Sequence, residues 1–209
     1  MAQTAMSKPS IILRPAKPPF DEGLESARYL DLAAEGFFQF MLGRRASDII
    51  GKAYIQTGHN YSYENVLFAE HDHRIVGMAS GFTAEQHRTF TDQPLKQAAG
   101  AQTFRMMVVK TLFAPMMRIL DTLADGDFYV LSLATDAAFR GAGIGSALMD
   151  AMEERAVASG SGRIALDVSA SNAGARRLYA RRGMTIESQW PKRLNIPKLR
   201  FYRMTKALG

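Results

Sequence analysis

Three glycines alternate in Arg140-Gly141-Ala142-Gly143-Ile144-Gly145, behind an arginine and just ahead of Ser146. Upstream, Phe128 to Thr135 reads as a buried strand; downstream, Ser146 to Ser159 reads as an amphipathic helix. A strand that feeds a glycine-rich turn opening a helix is a means of holding phosphate. The first N–H groups of a helix have no intrahelical partner, and its N-terminus carries partial positive charge. Spacing then discriminates among phosphate ligands. No lysine follows Gly141, Gly143 or Gly145, so the loop that cradles nucleoside triphosphates is not met. The dinucleotide pattern G-x-G-x-x-G ends on Ser146 when started at Gly141 and on Leu148 when started at Gly143, and fails as well. The pattern that is met is Arg-x-x-Gly-x-Gly, at Arg140, Gly143 and Gly145.

Other reactive residue types offer less. His71-Asp72-His73 invites a metal site, but positions i and i+2 at a turn tip rarely converge on one ion, and no further His or Cys cluster accompanies them. No metal is expected. The chain has no cysteine, which excludes disulfides, thiolate ligands and a cysteine nucleophile and fits a reducing, cytoplasmic setting.

With 209 residues, 47% of them hydrophobic and 22% charged, the chain is long enough for one sizeable core. A single domain over 1–209 is expected. It holds no run of eighteen apolar residues, so no membrane span is expected. Met1 to Lys17 lacks an apolar h-region, so no secretory signal is expected either. The net charge of +6 is uneven: from Ser171 onward ten basic residues face Glu187 alone, a surplus of +9 that leaves −3 for residues 1–170. Such an end suits nucleic acid, an anionic membrane, a polyanionic ligand or simply a solvated face.

The elements that must position the turn follow from periodicity. Ser10 to Pro15 predicts a short strand, and Pro18-Pro19 a turn. Leu24, Ala27, Leu30, Ala34, Phe37 and Met41 recur at helical spacing, predicting one helix from a cap at Asp21 to a stop at Gly43. Phe37, Phe38 and Phe40 are read as packing residues on it. Residues 44–64 predict a short helix and a tyrosine-rich loop that either lines a pocket or covers the sheet. Asn65–Glu70 and Arg74–Phe82 form an expected antiparallel hairpin, with Gly77 and Gly81 marking a bulge or a close backbone approach. Residues 83–125 interrupt the strands: Gln86 to Gly100 reads as polar and irregular, and Phe104 to Leu123 as a Met-rich helix divided at Pro115. That helical insertion is core, a substrate lid or a homodimer contact. After the glycine turn come a strand at Arg163–Ser169, a helix at Asn172–Arg182 closed by Gly183, and strands at Met184–Trp190 and Leu199–Thr205. The sum is an α/β chain with a mixed sheet and a parallel pair beside the glycine-turn helix.

Context turns the short glycine pattern into a specific one. The run Leu133-Ala-Thr-Asp-Ala-Ala-Phe-Arg-Gly-Ala-Gly-Ile-Gly-Ser-Ala-Leu148 resembles the acetyl-CoA-binding segment of the GNAT superfamily of N-acetyltransferases. Asn172, Ala175, Leu178, Tyr179, Gly183 and Met184 resemble, in order and spacing, that superfamily's next characteristic segment. The specific resemblance covers about 128–184. Two departures accompany it: Ala137 or Ala138 stands where many relatives carry proline, and Met184 where many carry phenylalanine.

The resemblance implies a GNAT-like mixed, mostly antiparallel (α+β) sheet with helices on both faces and a parallel strand pair splayed at the CoA site. It implies acetyl-CoA as co-substrate and transfer of the acetyl group to a primary amine of a small molecule or protein. The N–H groups of Gly141, Ala142, Gly143, Ile144 and Gly145, with Ser146 and the helix N-terminus, would cradle the pyrophosphate. Arg140 would pair with phosphate or hold the turn. Leu133, Ala134 and Thr135 would offer backbone groups to pantetheine and the acetyl carbonyl. Arg176 or Arg182 would meet the ribose 3′-phosphate, and Asn172 would bond CoA, cap its helix, or both. Tyr179 would protonate the departing thiolate as general acid, or would merely pack. Asp127, Glu70, Glu85 and Asp136 are the carboxylates considered for a general base, with a water chain as the other route. A CoA-binding regulator without catalysis and a nucleic-acid module are the competing classes; the latter lacks aromatic–basic interleaving, so no nucleic-acid partner is expected.

Overall fold

The computed structural model describes residues 10–114, 122–191 and 200–209. Seven strands form a sheet in the order β1-β2-β3-β4-β5-β7-β6: β1 Ile12–Pro15, β2 Val66–His71, β3 Arg74–Thr83, β4 Asp127–Thr135, β5 Arg163–Ser169, β6 Thr185–Trp190 and β7 Phe201–Ala207. All neighbours run antiparallel except β4 and β5. The mixed, mostly antiparallel sheet is therefore as expected.

Alternation along the strands divides the core between two faces. On one face, Phe68 and Met78 of the sheet pack with Tyr29 and Leu30 of α1 (Phe20–Ala33), Ile49 and Ile50 of α3 (Ala46–Tyr54) and Met106 of a later helix, α6 (Thr103–Leu112). On the other, Val130, Ile164 and Leu166 pack with Leu148, Met149 and Met152 of α7 (Ile144–Ala158) and Tyr179 of α8 (Ala173–Arg181). Each apolar face thereby loses water contact against a helical layer, the main favourable term in such a fold.

The expected helix from Asp21 to Gly43 is instead two. After α1 the chain turns at Glu35 (φ 53°) and Gly36 (φ 86°) and restarts as α2 (Phe37–Leu42). Gly36 N–H reaches Asp31 O at 2.9 Å and Glu35 N–H reaches Leu32 O at 3.4 Å, a Schellman closure. Apolar spacing continues across the break, so periodicity alone could not locate it. The left-handed position falls on Glu35, where a side chain costs on the order of 1 kcal/mol. Pro19 caps α1, and Asp21 lies in its first turn.

Residues 86–100 also depart from the irregular segment expected. Thr83 Oγ accepts from Gln86 N and Gln86 Oε1 accepts from Thr83 N, a capping box that starts α4 (Ala84–Thr89). Pro94 lies in the first turn of α5 (Gln93–Ala99). The Met-rich stretch is helical as α6; Pro115, Met116 and Met117 lie outside the described residues.

Register also shifts at Ala69/Glu70 and at Ile186/Ser188, but the irregularity that opens the sheet is at its centre. β4 and β5 are in register only from Asp127–Arg163 to Val130–Leu166. Beyond that, β4 stays on β3 as far as Thr135 and β5 stays on β7 as far as Ser169, so the parallel pair splays. Ser80 faces Ser132 while Gly81 faces Val130, leaving Leu131 as the extra residue of a bulge. Gly81 makes the bulge possible: a Cβ there would lie 2.6 Å from the Phe128 ring and 2.9 Å from Tyr129 O. Gly77 similarly lets Ile144 approach, at 3.0 Å from where its Cβ would be. Gly81→Ala is predicted to lower the urea unfolding midpoint, at unchanged slope, by an amount equivalent to about 1–3 kcal/mol; an unshifted midpoint would show that the centre of the sheet tolerates the added methyl.

Candidate functional site

A cavity of about 1070 Å³ occupies the gap between β4 and β5. Its lining comes from both faces of the sheet: Leu30 to Phe40 of α1 and α2 on one side, and the glycine turn with α8 on the other. The splay therefore opens a passage between the two helical layers.

On the α7 side, Gly141 (φ 81°) and Gly143 (φ 88°) adopt the left-handed conformation that a Cβ disfavours. The turn is built on its own bonds, Arg140 N to Ala137 O and Ala142 N to Phe139 O, and the first helical bond is Ala147 N to Gly143 O. Gly141, Gly143, Ile144, Gly145 and Ser146 consequently keep backbone N–H groups without a partner among the described residues, and all five residues line the cavity. Ala142 differs: its N–H is used, and its side chain packs against the core below α7. A Cβ on Gly145 would meet Leu178 of α8 at 3.4 Å, an ordinary contact. Arg140 and Arg181 line the same end, exposed and without an ion pair among the described residues. Five free donors at a helix N-terminus, flanked by two unpaired guanidiniums, fit a polyphosphate.

Leu133, Ala134 and Thr135 line the cavity along the stretch of β4 that has left β5. Tyr179 enters it from α8. Only 7% of its surface is exposed, its phenol makes no hydrogen bond among the described residues, and burial pushes its pKa up to about 12. It therefore holds its proton at neutral pH. Asn172 lines the cavity and caps α8, its Oδ1 accepting from Ala175 N at 3.0 Å. Arg182 is drawn away from the cavity by Asp150 and Glu153 of α7, the latter at 3.2 Å. Arg176 lies over the Tyr202 ring, 5.6 Å from its centroid. The cavity-facing cation of α8 is thus Arg181, one position before the residue singled out in sequence. Ion pairs also absorb Arg203 and Lys206, so with Arg182 three of the ten basic residues after Ser171 are balanced within the fold.

None of the four carboxylates considered as a base lines the cavity. Asp127 is buried in a fork from Arg163 at 2.7 and 2.9 Å, Glu70 pairs with Arg14 and Asp136 with Arg28, and Glu85 accepts from Gly126 N. The carboxylates that do line it are Asp167 and Glu35. Asp167 accepts from Arg203 at 2.8 and 2.7 Å and from the Tyr129 hydroxyl at 2.9 Å. Burial pushes its pKa up, and these donors draw it back. Beside it, the Ser80 and Ser132 hydroxyls meet at 2.7 Å across the bulge. Asp167 had a signal in sequence: it falls between Leu166 and Val168 in a strand that is otherwise apolar, so a buried charge with a partner was to be expected there. Glu35 had none.

The Acetyltransferase (GNAT) family model matches residues 39–184, well over half of the chain, and the chain belongs to that family. An acetyltransferase of known structure is 25% identical, with a TM-score of 0.67 over 95% of this chain and 100% of that one. An N-acetyltransferase from Staphylococcus aureus Mu50 is 16% identical, with a TM-score of 0.61 over 93% and 100%. The NatC complex bound to Gag peptide and CoA is 12% identical, with a TM-score of 0.55 over 95% and 99%, and shares the fold. Among curated proteins none matches. Fold and family together indicate an acyltransferase of the kind that uses acetyl-CoA. Among the described residues no helix is long and apolar enough to cross a membrane, and no group of three or more metal-ligating side chains occurs.

Removing Arg203 would leave Asp167 charged and buried beside the gap. Arg203→Met is predicted to destabilise the fold by about 3–5 kcal/mol at neutral pH. Without its cation the Asp167 pKa rises further above the unfolded value, so protonation stabilises the variant's folded form as pH falls. The deficit against wild type in denaturant titrations should therefore narrow toward about pH 5; a deficit that is constant or widens on acidification would mean that Asp167 is not the stranded charge.

Proposed function

We propose that the protein transfers the acetyl group of acetyl-CoA to a primary amine by direct attack, with residues 1–209 acting as one catalytic unit. The observation that carries this reading is the meeting of the five partnerless N–H groups of Gly141 to Ser146, the unpaired end of β4 and the buried phenol of Tyr179 in one cavity. The turn takes the pyrophosphate, with Arg140 and Arg181 as its cations. The pantetheine arm follows the free edge of Leu133 to Thr135, whose outward N–H and C=O groups need partners. This brings the thioester into the gap, open to the α1–α2 side.

A neutral amine attacks the carbonyl carbon: a C–N bond forms, and the carbonyl oxygen takes up negative charge that a β4 N–H near the bulge stabilises. Collapse breaks the C–S bond. The thiolate leaves with the proton of Tyr179, which is re-protonated from solvent, while the amine nitrogen loses its extra proton to water. A phenol whose pKa lies near 12 is fully protonated across the working range and serves as the acid. No carboxylate is required for the first step once the amine is neutral, consistent with all four carboxylates first considered being engaged elsewhere. The segment 83–125 contributes a wall through Phe113 and is proposed to cover the acceptor.

Tyr179→Phe keeps the buried ring and removes only the hydroxyl that carries the proton. In a thiol-release assay with an amine panel its kcat is predicted to fall about 10²–10⁴-fold, while CoA affinity measured by calorimetry stays unchanged. Turnover equal to wild type would remove Tyr179 from the role of acid.

A further inference from the structure

The end of the cavity opposite the glycine turn has a composition of its own. Phe37, Phe38 and Phe40 of α2, Tyr61 of the tyrosine-rich loop and Phe113 after α6 all line it. Their rings pack edge to face: Phe37 to Phe113 at 5.8 Å, Phe40 to Phe113 at 5.7 Å, Phe37 to Phe38 at 6.1 Å and Phe38 to Tyr61 at 5.5 Å. Edge-to-face packing leaves ring faces available, and Phe40 remains 53% exposed. Phe38, at 8%, is covered as Tyr29 and Phe68 are, whereas Phe40 and the partly buried Phe37, Tyr61 and Phe113 keep surface along the cavity.

Beside this wall lies Glu35, on the turn between α1 and α2, exposed and with a carboxylate that has no hydrogen bond or ion pair among the described residues. The turn is fixed rather than loose, since Gly36 N–H closes on Asp31 O and Gln39 N–H donates to the Asp31 carboxylate at 2.9 Å. It holds Glu35 at a left-handed position that glycine ordinarily takes. The other carboxylate of the cavity, Asp167, is already neutralised by Arg203. The cavity thus carries unpaired positive charge where the phosphates are proposed to sit and one unpaired negative charge beside the rings.

From this we infer that the acceptor is a small arylalkylamine: a primary amine on a flat apolar body, the body seated against the Phe37–Phe40–Phe113 wall and the amine drawn in by Glu35 as its ammonium, which gives up a proton to water before it attacks. The inference rests on the acetyl-transfer reading and narrows it. Ring faces receive an apolar body of ring size and favour a nearby cation, and a single carboxylate at the rim selects one amine. Glu35 acts on capture and orientation of the acceptor, so its effect belongs in KM.

The test is thiol release from acetyl-CoA with 2-phenylethylamine, n-butylamine, spermidine and a tetrapeptide amide with a free α-amine, alongside calorimetric titration with CoA. The expected result is a kcat/KM for 2-phenylethylamine at least about tenfold above each of the others. Glu35→Gln should raise its KM about tenfold or more, with kcat and CoA affinity near wild type. Phe37→Leu should erode the preference over n-butylamine. Faster transfer to the aliphatic, polyamine or peptide acceptor overturns the inference and leaves acetyl transfer standing. An unchanged KM in Glu35→Gln overturns the role given to Glu35. CoA binding without thiol release from any amine, or no CoA binding, overturns the acetyl-transfer reading and the inference with it.

Discussion

A parallel strand pair buried at the middle of a sheet ordinarily satisfies every backbone N–H and C=O along its length, because no water reaches an unpaired group there. In this protein β4 and β5 give up that pairing after Val130 and Leu166, and the rest of the structure is arranged around the consequence. Each strand stays anchored on its outer neighbour, β4 on β3 to Thr135 and β5 on β7 to Ser169, so the separation does not spread. The bulge at Leu131 bends β4 away, Gly81 gives the bend room, and the Asp167–Arg203 fork ties β5 to β7 across the register. The open edge then requires a partner, and an extended chain bearing amide groups is the kind of ligand that supplies one.

Opening the sheet at its centre also joins two environments that the sheet would otherwise separate. On the α7–α8 side the lining presents backbone N–H groups and arginines; on the α1–α2 side it presents rings and one carboxylate. Under the proposed function, opposed charges at the two ends would orient the CoA phosphates and a cationic acceptor toward the same gap. Tyr179 stands at that junction, where burial keeps its phenol protonated at neutral pH.

How legible each half was follows from how each is built. The end proposed to hold phosphate is backbone chemistry, and backbone chemistry of this kind leaves glycines at fixed spacing: Gly141 and Gly143 stand at positive φ, and Gly145 stands where α7 meets α8. The strands were legible because alternation and turn residues mark them, and the hairpin from Val66 to Thr83 and the strand from Arg163 to Ser169 fall where the pattern placed them. The break at Glu35 was not legible. Helical spacing of apolar residues runs straight through it, and the left-handed position carries a glutamate where the signal would have been glycine. The partner of each charge was equally hidden: Arg182 and Arg181 look alike in sequence, and only the positions of Asp150 and Glu153 on α7 decide which one is drawn away.

The acceptor end was read least well for a further reason. A site that recognises an apolar body is made from the residues that make a core, so Phe37, Phe38 and Phe40 on an amphipathic helix give the same pattern whether they face a neighbour or a ligand. What separates the two is coverage, which no periodicity reports. A core ring is enclosed by the next layer. Here α2 is short and is offset from α1 by the turn at Gly36; Phe38 is enclosed by the core, while Phe37 and Phe40 border the cavity where a covering layer would be. The break in the helix and the break in the strand pairing thus act together: one withholds a floor and the other withholds a lid, and the space between them is the room proposed for the acceptor.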